Sequence, residues 1–312
     1  MNNDKALIGI DGGATKTEFV MFTENGKVLK RIILEGSNPN VCGLETACKV
    51  IKTGLDELLE TCQNVLGVFA GIAGTRSGNN SSKMRAFFKS IYPKLDMTLD
   101  SDICNVISST AKSGNCAAVI CGTGFSIYAN VNQEMHRVGG WGYLLDDISG
   151  GFGLGREALR AALAEQDGFG EKTIITQLIV DKLGTDVWDS IDKIYTGGDS
   201  FIASFAPIVF EAYGKGDKKA YSIFDKYTDQ IVEILNYTLK TYNCDNRVVL
   251  SGGLFNNNSV IVDMLRTKMT NDIEFMVPKF PQIYGACVKC CKLYGKFDEK
   301  FLNNFAAYWM KE

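Results

Sequence analysis

Leu7-Ile8-Gly9-Ile10-Asp11-Gly12-Gly13-Ala14-Thr15-Lys16-Thr17-Glu18-Phe19-Val20-Met21-Phe22 reads as two β-rich runs joined by a tight polar turn. The turn has the make-up of a phosphate clasp. Gly12 and Gly13 lack the Cβ that would hold a backbone away from a polyanion, and Thr15 and Lys16 add a hydroxyl and a positive charge. Asp11 then needs a separate task, because a carboxylate beside phosphate is repelled unless a divalent cation lies between them; the pairing points to a magnesium nucleotide. The plain alternative is a β-hairpin whose Gly-Gly only makes the turn.

Outward from this stretch, Glu24-Asn25-Gly26-Lys27 is a turn and Val28 to Leu34 a third antiparallel strand, so the chain opens on a meander. Gly36-Ser37-Asn38-Pro39-Asn40 breaks the sheet. Apolar residues at helical spacing then run from Leu44 to Cys62, Val65 to Gly71 is a buried strand, and Ser82 to Ile91 a short helix. Leu95 to Leu99 is a strand ending in Asp100-Ser101-Asp102, with a helix from about Asn105 to Lys112.

The pattern restarts at Ala117. Ala117 to Cys121, Gly122-Thr123-Gly124, Phe125 to Val131, Asn132-Gln133-Glu134 and Met135 to Val138 repeat the order strand, glycine-threonine turn, strand, turn, strand. This is an internal duplication by element order. A glycine-dense loop spans Gly139 to Gly155, and helices follow over 156–165, 173–183, 201–213 and 218–241. The sheet resumes at Arg247 to Leu250, ends at Ser251-Gly252-Gly253, adds a strand over 273–277, and helices over about 284–294 and 298–310 close the chain. Each half is therefore a meander leading into strand-helix units, an α/β architecture in two lobes. Two copies of a glycine-threonine turn, facing each other, would grip one polyphosphate from both sides.

Composition narrows the function. With 312 residues, 46% hydrophobic and 22% charged, and a net charge of -3, the chain has no basic footprint for nucleic acid. Its N-terminal stretch lacks signal-peptide character and no apolar run reaches membrane-span length, which predicts a cytoplasmic protein. Ten scattered cysteines fit reduced thiols, and Cys287, Cys290 and Cys291 share one helical face, read as buried helix before metal site. The single histidine, His136, sits in a polar hairpin and is read as a surface residue, which removes most histidine-based hydrolase chemistry.

Asp102 is the acid best placed for catalysis, at the carboxyl end of a strand, where it can take a proton from a sugar hydroxyl attacking a γ-phosphorus. Its alternative task is to cap the following helix, and Asp100 competes for either role. Asp146 and Asp147, in the loop Gly139-Gly140-Trp141-Gly142-Tyr143-Leu144-Leu145-Asp146-Asp147, combine carboxylates with aromatics as polyol sites do. Gly153-Leu154-Gly155-Arg156-Glu157-Ala158 satisfies the loose dinucleotide pattern but has no buried strand before it.

Taken together, Asp11 to Thr17, Gly36 to Asn40, Ser101-Asp102, Gly122-Thr123-Gly124, Gly139-Gly140-Trp141-Gly142 through Asp147, and Ser251-Gly252-Gly253 give the chain its family likeness. It resembles the N-acetylglucosamine kinases and their bacterial relatives among the sugar kinases of the actin-like ATPase fold. The resemblance implies two duplicated actin-like (ribonuclease H-like) lobes with a nucleotide cleft between them. The first lobe would span 1–112, completed by a C-terminal helix at about 296–312, and the second 113–295, with a helical insertion at about 150–245.

It further implies ATP and Mg2+ as cofactors and a small-molecule substrate, N-acetylglucosamine or a closely related amino sugar, N-acetylmuramate among them, phosphorylated at its 6-hydroxyl. Asp102 would be the base, with Asn38, Gly140, Trp141, Gly142 and Asp147 around the sugar. Gly12, Gly13, Thr15, Lys16, Gly122, Thr123 and Gly124 would meet phosphates, Gly252, Gly253 and Asn256 the adenosine, and Asp11 would hold Mg2+ through water. No nucleic-acid or membrane partner is implied, and a homodimer is allowed for. The family's loop usually carries a glycine before Asp-Glu-Gly-Ser, where this chain has Asp146 before Asp147-Ile148-Ser149-Gly150. Two other readings stay open: an iron-sulfur ATPase that activates acyl-CoA dehydratases or reductases, and a non-catalytic amino-sugar sensor.

Overall fold

The structure, a computed structural model, describes residues 5–112, 114–132, 134–146, 148, 150–256, 258–269 and 272–311. The chain divides into two compact units, Met1–Ser113 with Pro278–Glu312, and Gly114–Val277.

In the first unit the chain runs β1 (Ala6–Gly12), β2 (Lys16–Thr23), β3 (Val28–Glu35), a short α1 (Pro39–Cys42), α2 (Leu44–Thr61), β4 (Val65–Ile72), α3 (Asn80–Ile91), β5 (Met97–Asp100) and α4 (Ile103–Ser108). The sheet order is β3-β2-β1-β4-β5, with β1, β2 and β3 antiparallel and β1, β4 and β5 parallel.

The second unit runs β6 (Cys116–Cys121), β7 (Phe125–Val131), β8 (Glu134–Arg137), then α5 (Gly150–Gln166), α6 (Ile174–Leu183), α7 (Ile191–Ala203), α8 (Ala206–Gly214) and α9 (Lys218–Thr241). It closes with β9 (Arg247–Ser251), α10 (Gly253–Asn256), α11 (Val260–Lys268) and β10 (Glu274–Met276). Its sheet order, β10-β9-β6-β7-β8, is the first order read from the other edge, with the same parallel and antiparallel pairings. The duplication expected from element order is thus present in topology, and the two ribonuclease H-like sheets give the expected actin-like α/β fold.

The chain then returns to the first unit as α12 (Gln282–Tyr294) and α13 (Glu299–Trp309). Pleating explains why that sheet needs both returning helices. Ile8, Ile10, Phe19, Met21, Val68 and Ala70 pack with α2 residues such as Ile51 and Leu55, while Leu7, Val20, Phe22 and Phe69 join the cluster of α12 and α13. Phe22 meets Phe301 and Phe305 with ring centroids 5.8 and 5.2 Å apart. Cys287, Cys290 and Cys291 belong to this buried face.

Several elements differ from the sequence reading. Helix α12 packs on β1 and β4 in the first unit, although 278–295 was expected in the second lobe. It approaches so closely that a Cβ on Gly9 would lie 2.5 Å from the Cys287 sulfur. Helix α5 begins at Gly150, inside the stretch read as loop to Gly155. Glycine lowers intrinsic helicity, but here the first turn is docked: Gly151 N donates to Gly122 O at 2.8 Å and Phe152 N to Thr123 O at 3.0 Å. The dinucleotide-like Gly153-Leu154-Gly155 therefore lies inside a helix. Helices α7 and α11 were not expected, and α4 begins two residues earlier than read, at Ile103.

Candidate active site

In the first unit, strand register assembles the site. Asp11 on β1 and Asp100 on β5 both align with Gly71 of β4, so three strands deliver their carboxyl ends side by side. The turn between β1 and β2 closes with Gly13 N donating to Lys16 O at 2.9 Å, and the amides of Ser37 and Asn38 donate to Gly13 O at 3.0 and 3.1 Å. Asn38 is the N-cap of α1, its Oδ1 accepting from Asn40 N at 2.9 Å. Thr15 is exposed.

Asp102 stands at the start of α4 with helical φ/ψ and makes no side-chain capping bond, which sets aside the helix-cap role. Its Oδ1 accepts from the Ser101 hydroxyl at 3.0 Å. Burial pushes its carboxyl above the ordinary carboxylate value, and that hydroxyl offsets part of the effect. Its competitor Asp100 accepts from the Ser101 amide at 2.7 Å.

Asp11 keeps a small accessible edge, yet most of its surroundings are protein. Burial lifts its pKa to about 7, and the negative charges of Asp102 and Glu18 add to the rise. Against them works Asn105 of α4, which no sequence motif singles out: it is fully buried, and its Nδ2 donates to Asp11 Oδ1 at 2.6 Å and to Gly71 O at 3.0 Å. Glu18, also without a motif to mark it, is 2% exposed and accepts from Arg31 Nε at 2.6 Å and from Lys16 Nζ at 3.2 Å. Lys16, expected to meet phosphate, is thus paired with a carboxylate one pleat away.

In the second unit the end of β6 carries Gly122-Thr123-Gly124, all exposed, closed by Gly122 N donating to Gly124 O at 3.0 Å. Because β6 and β9 are parallel with Ile120 opposite Ser251, the Gly252 turn lies next to this one. Gly252 has φ +106, and a Cβ added there would collide with Cys121 O. Gly253 and Asn256 fall in the four-residue α10.

The loop Gly139 to Asp146 is fastened by Asp146, whose Oδ2 accepts from the amides of Trp141 and, at 3.2 Å, Gly142. The Trp141 ring, 61% exposed, lies 4.6 Å from the Arg137 guanidinium. Asp147 lies outside the described residues. A separate cavity of about 390 Å³ between α5 and α9 is lined by Arg156, Arg160, Lys219, Lys226, Tyr227 and Gln230, among others. The site residues thus fall in two groups. Asp11, Gly12, Gly13, Thr15, Lys16, Asn38 and Asp102 lie at one end of the first sheet. Gly122, Thr123, Gly124, Gly140, Trp141, Gly142, Gly252, Gly253 and Asn256 gather at the corresponding end of the second.

Comparison with known proteins finds relatives over nearly the whole chain. A Clostridium acetobutylicum N-acetylmuramic acid/N-acetylglucosamine kinase is 30% identical over 304 residues, covering 93% of this chain and 96% of the relative. A Dictyostelium discoideum N-acetyl-D-glucosamine kinase is 28% identical, covering 84% and 89%. Among solved structures, one from Porphyromonas gingivalis, provisionally described as an N-acetylglucosamine kinase, superposes with a TM-score of 0.68 at 19% identity, covering 92% of this chain and 98% of that one. The model of the BadF/BadG/BcrA/BcrD ATPase family matches residues 8–287, nearly the whole α/β framework just described, and the chain belongs to that family.

Proposed function

We propose that the protein is an ATP-dependent kinase that phosphorylates N-acetylglucosamine, N-acetylmuramate or a closely related amino sugar at its 6-hydroxyl. The observation that carries this reading is Asp102: a half-buried carboxylate at a strand's carboxyl end, with no side-chain capping bond, close enough to the Asp11 carboxylate for their charges to act on each other. The likeness to two amino-sugar kinases, over 93% and 84% of this chain, supports it.

In this reading Asp102 accepts the proton of the sugar hydroxyl as that oxygen attacks the γ-phosphorus of ATP, forming the new P–O bond while the bond to ADP breaks. Its raised basicity suits the task, and the Ser101 hydroxyl holds the acceptor oxygen in place. Asn38, Gly140, Trp141, Gly142 and Asp147 are assigned to the sugar. Gly12, Gly13, Thr15, Lys16, Gly122, Thr123 and Gly124 are assigned to the phosphates, and Gly252, Gly253 and Asn256 to the adenosine.

Carboxylate oxygens are the donors a hard cation takes, and Asp11 with Asp102 nearby offers that chemistry, so the residues fit Mg2+ held through water by Asp11. When bound, Mg2+ would neutralise phosphate charge. The cysteines speak against the dehydratase-activator reading, which needs surface thiolates that two subunits share. Every cysteine here is buried or half-buried.

An ADP-release assay across glucosamine, N-acetylglucosamine, N-acetylmuramate, N-acetylmannosamine and glucose is the direct test. Turnover is expected with the N-acetylated glucosamine sugars, and ADP release indifferent to every sugar would refute the kinase.

A further inference from the structure

Helix α4 contributes more than the acid at its start. Three residues on from Asp102, Asn105 is completely buried with its amide nitrogen committed twice, to Gly71 O at 3.0 Å and to Asp11 Oδ1 at 2.6 Å. The first commitment fixes the polarity of the second. A backbone carbonyl can only accept, so the Asn105 carboxamide cannot turn over without losing Gly71, and it always presents N–H to Asp11. Its own Oδ1 is buried without a hydrogen-bond partner, a cost tolerated to keep that orientation. Two glycines make the space: a Cβ on Gly71 would collide with the Asn105 carboxamide, and one on Gly285 of α12 with the Asn105 carbonyl. Gly71 of β4 thus makes room for the side chain itself, while Gly285 lets α12 close on the backbone of α4 at the same residue.

We infer that Asn105 is a positioning residue for Asp11: it clamps one carboxylate oxygen so that the other, Oδ2, is held in a single orientation toward a hydrated divalent cation. Among the described residues no hydrogen bond reaches Oδ2. The inference rests on the assignment of Asp11 to the cation in the proposed function. A clamp of this kind is a dipole fixed behind a ligand carboxylate, and removing such a partner typically weakens metal affinity about 10- to 100-fold.

The test uses the full chain with Asn105→Ala and the isosteric Asn105→Asp, which fills the same space but offers Asp11 an oxygen in place of an N–H. Mn2+ binding in the presence of ADP, followed by electron paramagnetic resonance, is the readout that does not depend on turnover. Both variants are expected to bind Mn2+ about 10- to 100-fold more weakly, Asn105→Asp the worse of the two. The Mg2+ concentration for half-maximal rate should rise similarly, while the KM for sugar moves less than about twofold. Folded variants with unchanged Mn2+ affinity would overturn the inference. So would equal losses in sugar KM and cation affinity, or failure of both variants to fold, since either marks Asn105 as packing alone. If the wild type binds Mn2+ and ADP but turns over no sugar, the kinase reading falls, and the Mn2+ result still decides the role of Asn105.

Discussion

Asp102 carries its charge where burial resists it, and that resistance is what makes it a useful base. Replacing it with Asn keeps shape and removes the proton acceptor. Asp102→Asn is expected to retain sugar and nucleotide binding by calorimetry and to lose about a hundredfold or more in kcat; near-normal turnover would place the base elsewhere. The acid limb of the wild-type kcat profile should lie above the ordinary carboxylate range of about 4, in line with the upward shift. Asp11 gives a stability test. Its folded pKa of about 7 exceeds the ordinary 3.8, so between those values the folded state holds a proton that the unfolded chain has released. Stability therefore falls as pH rises through that window. Without divalent cation, Asp11→Asn should gain on the wild type by on the order of a few kcal/mol between pH 4 and pH 8. A gain that is flat with pH would contradict the burial argument.

At the scale of elements, the two glycine turns are built differently. The first spends one carbonyl, Gly13 O, on the amides of Ser37 and Asn38 ahead of the four-residue α1, while the second spends two on the first turn of a long helix: the amides of Gly151 and Phe152 donate to the carbonyls of Gly122 and Thr123. Gly150, at φ +58 and pressed against Gly124 O, permits that docking. Gly150→Ala is expected to destabilise the protein by about 1–3 kcal/mol and to reduce nucleotide affinity through the displaced turn, measurable by denaturant unfolding and ADP titration. This docking also shows where sequence was legible. The hairpin of Asp11 to Phe22 and its restart at Ala117 could be read because period and turn chemistry are local. The start of α5 could not be, since its glycines look like loop until the carbonyls they meet are known. Asn105 was invisible for the same reason, because its partners are 34 and 94 residues away. Asp102 was legible as an acid at a strand end, but only the folded chain separates it from a helix cap. Lys16 was legible as a cation and not as a partner of Glu18.

For the molecule as a whole, the topology is a repeat with one unit inserted into the other. The first sheet hides Leu7, Val20, Phe22 and Phe69 only under α12 and α13. Phe305, fully buried against Phe22, Phe301 and Tyr284, is expected to cost about 3–5 kcal/mol when replaced by Ala, read from chemical denaturation. Truncation after Gly295 should be more severe, exposing that aromatic face and favouring aggregation.

The cover helices arriving from the far end of the chain have a consequence for biosynthesis. A ribosome releases β1 to β5 long before α12 and α13 exist, so the opening sheet must wait with one greasy side bare while the continuous segment 114–277 is made. Nascent chains stalled near residue 277 should therefore recruit holding chaperones to the N-terminal portion, and synthesis of the final 35 residues should release them.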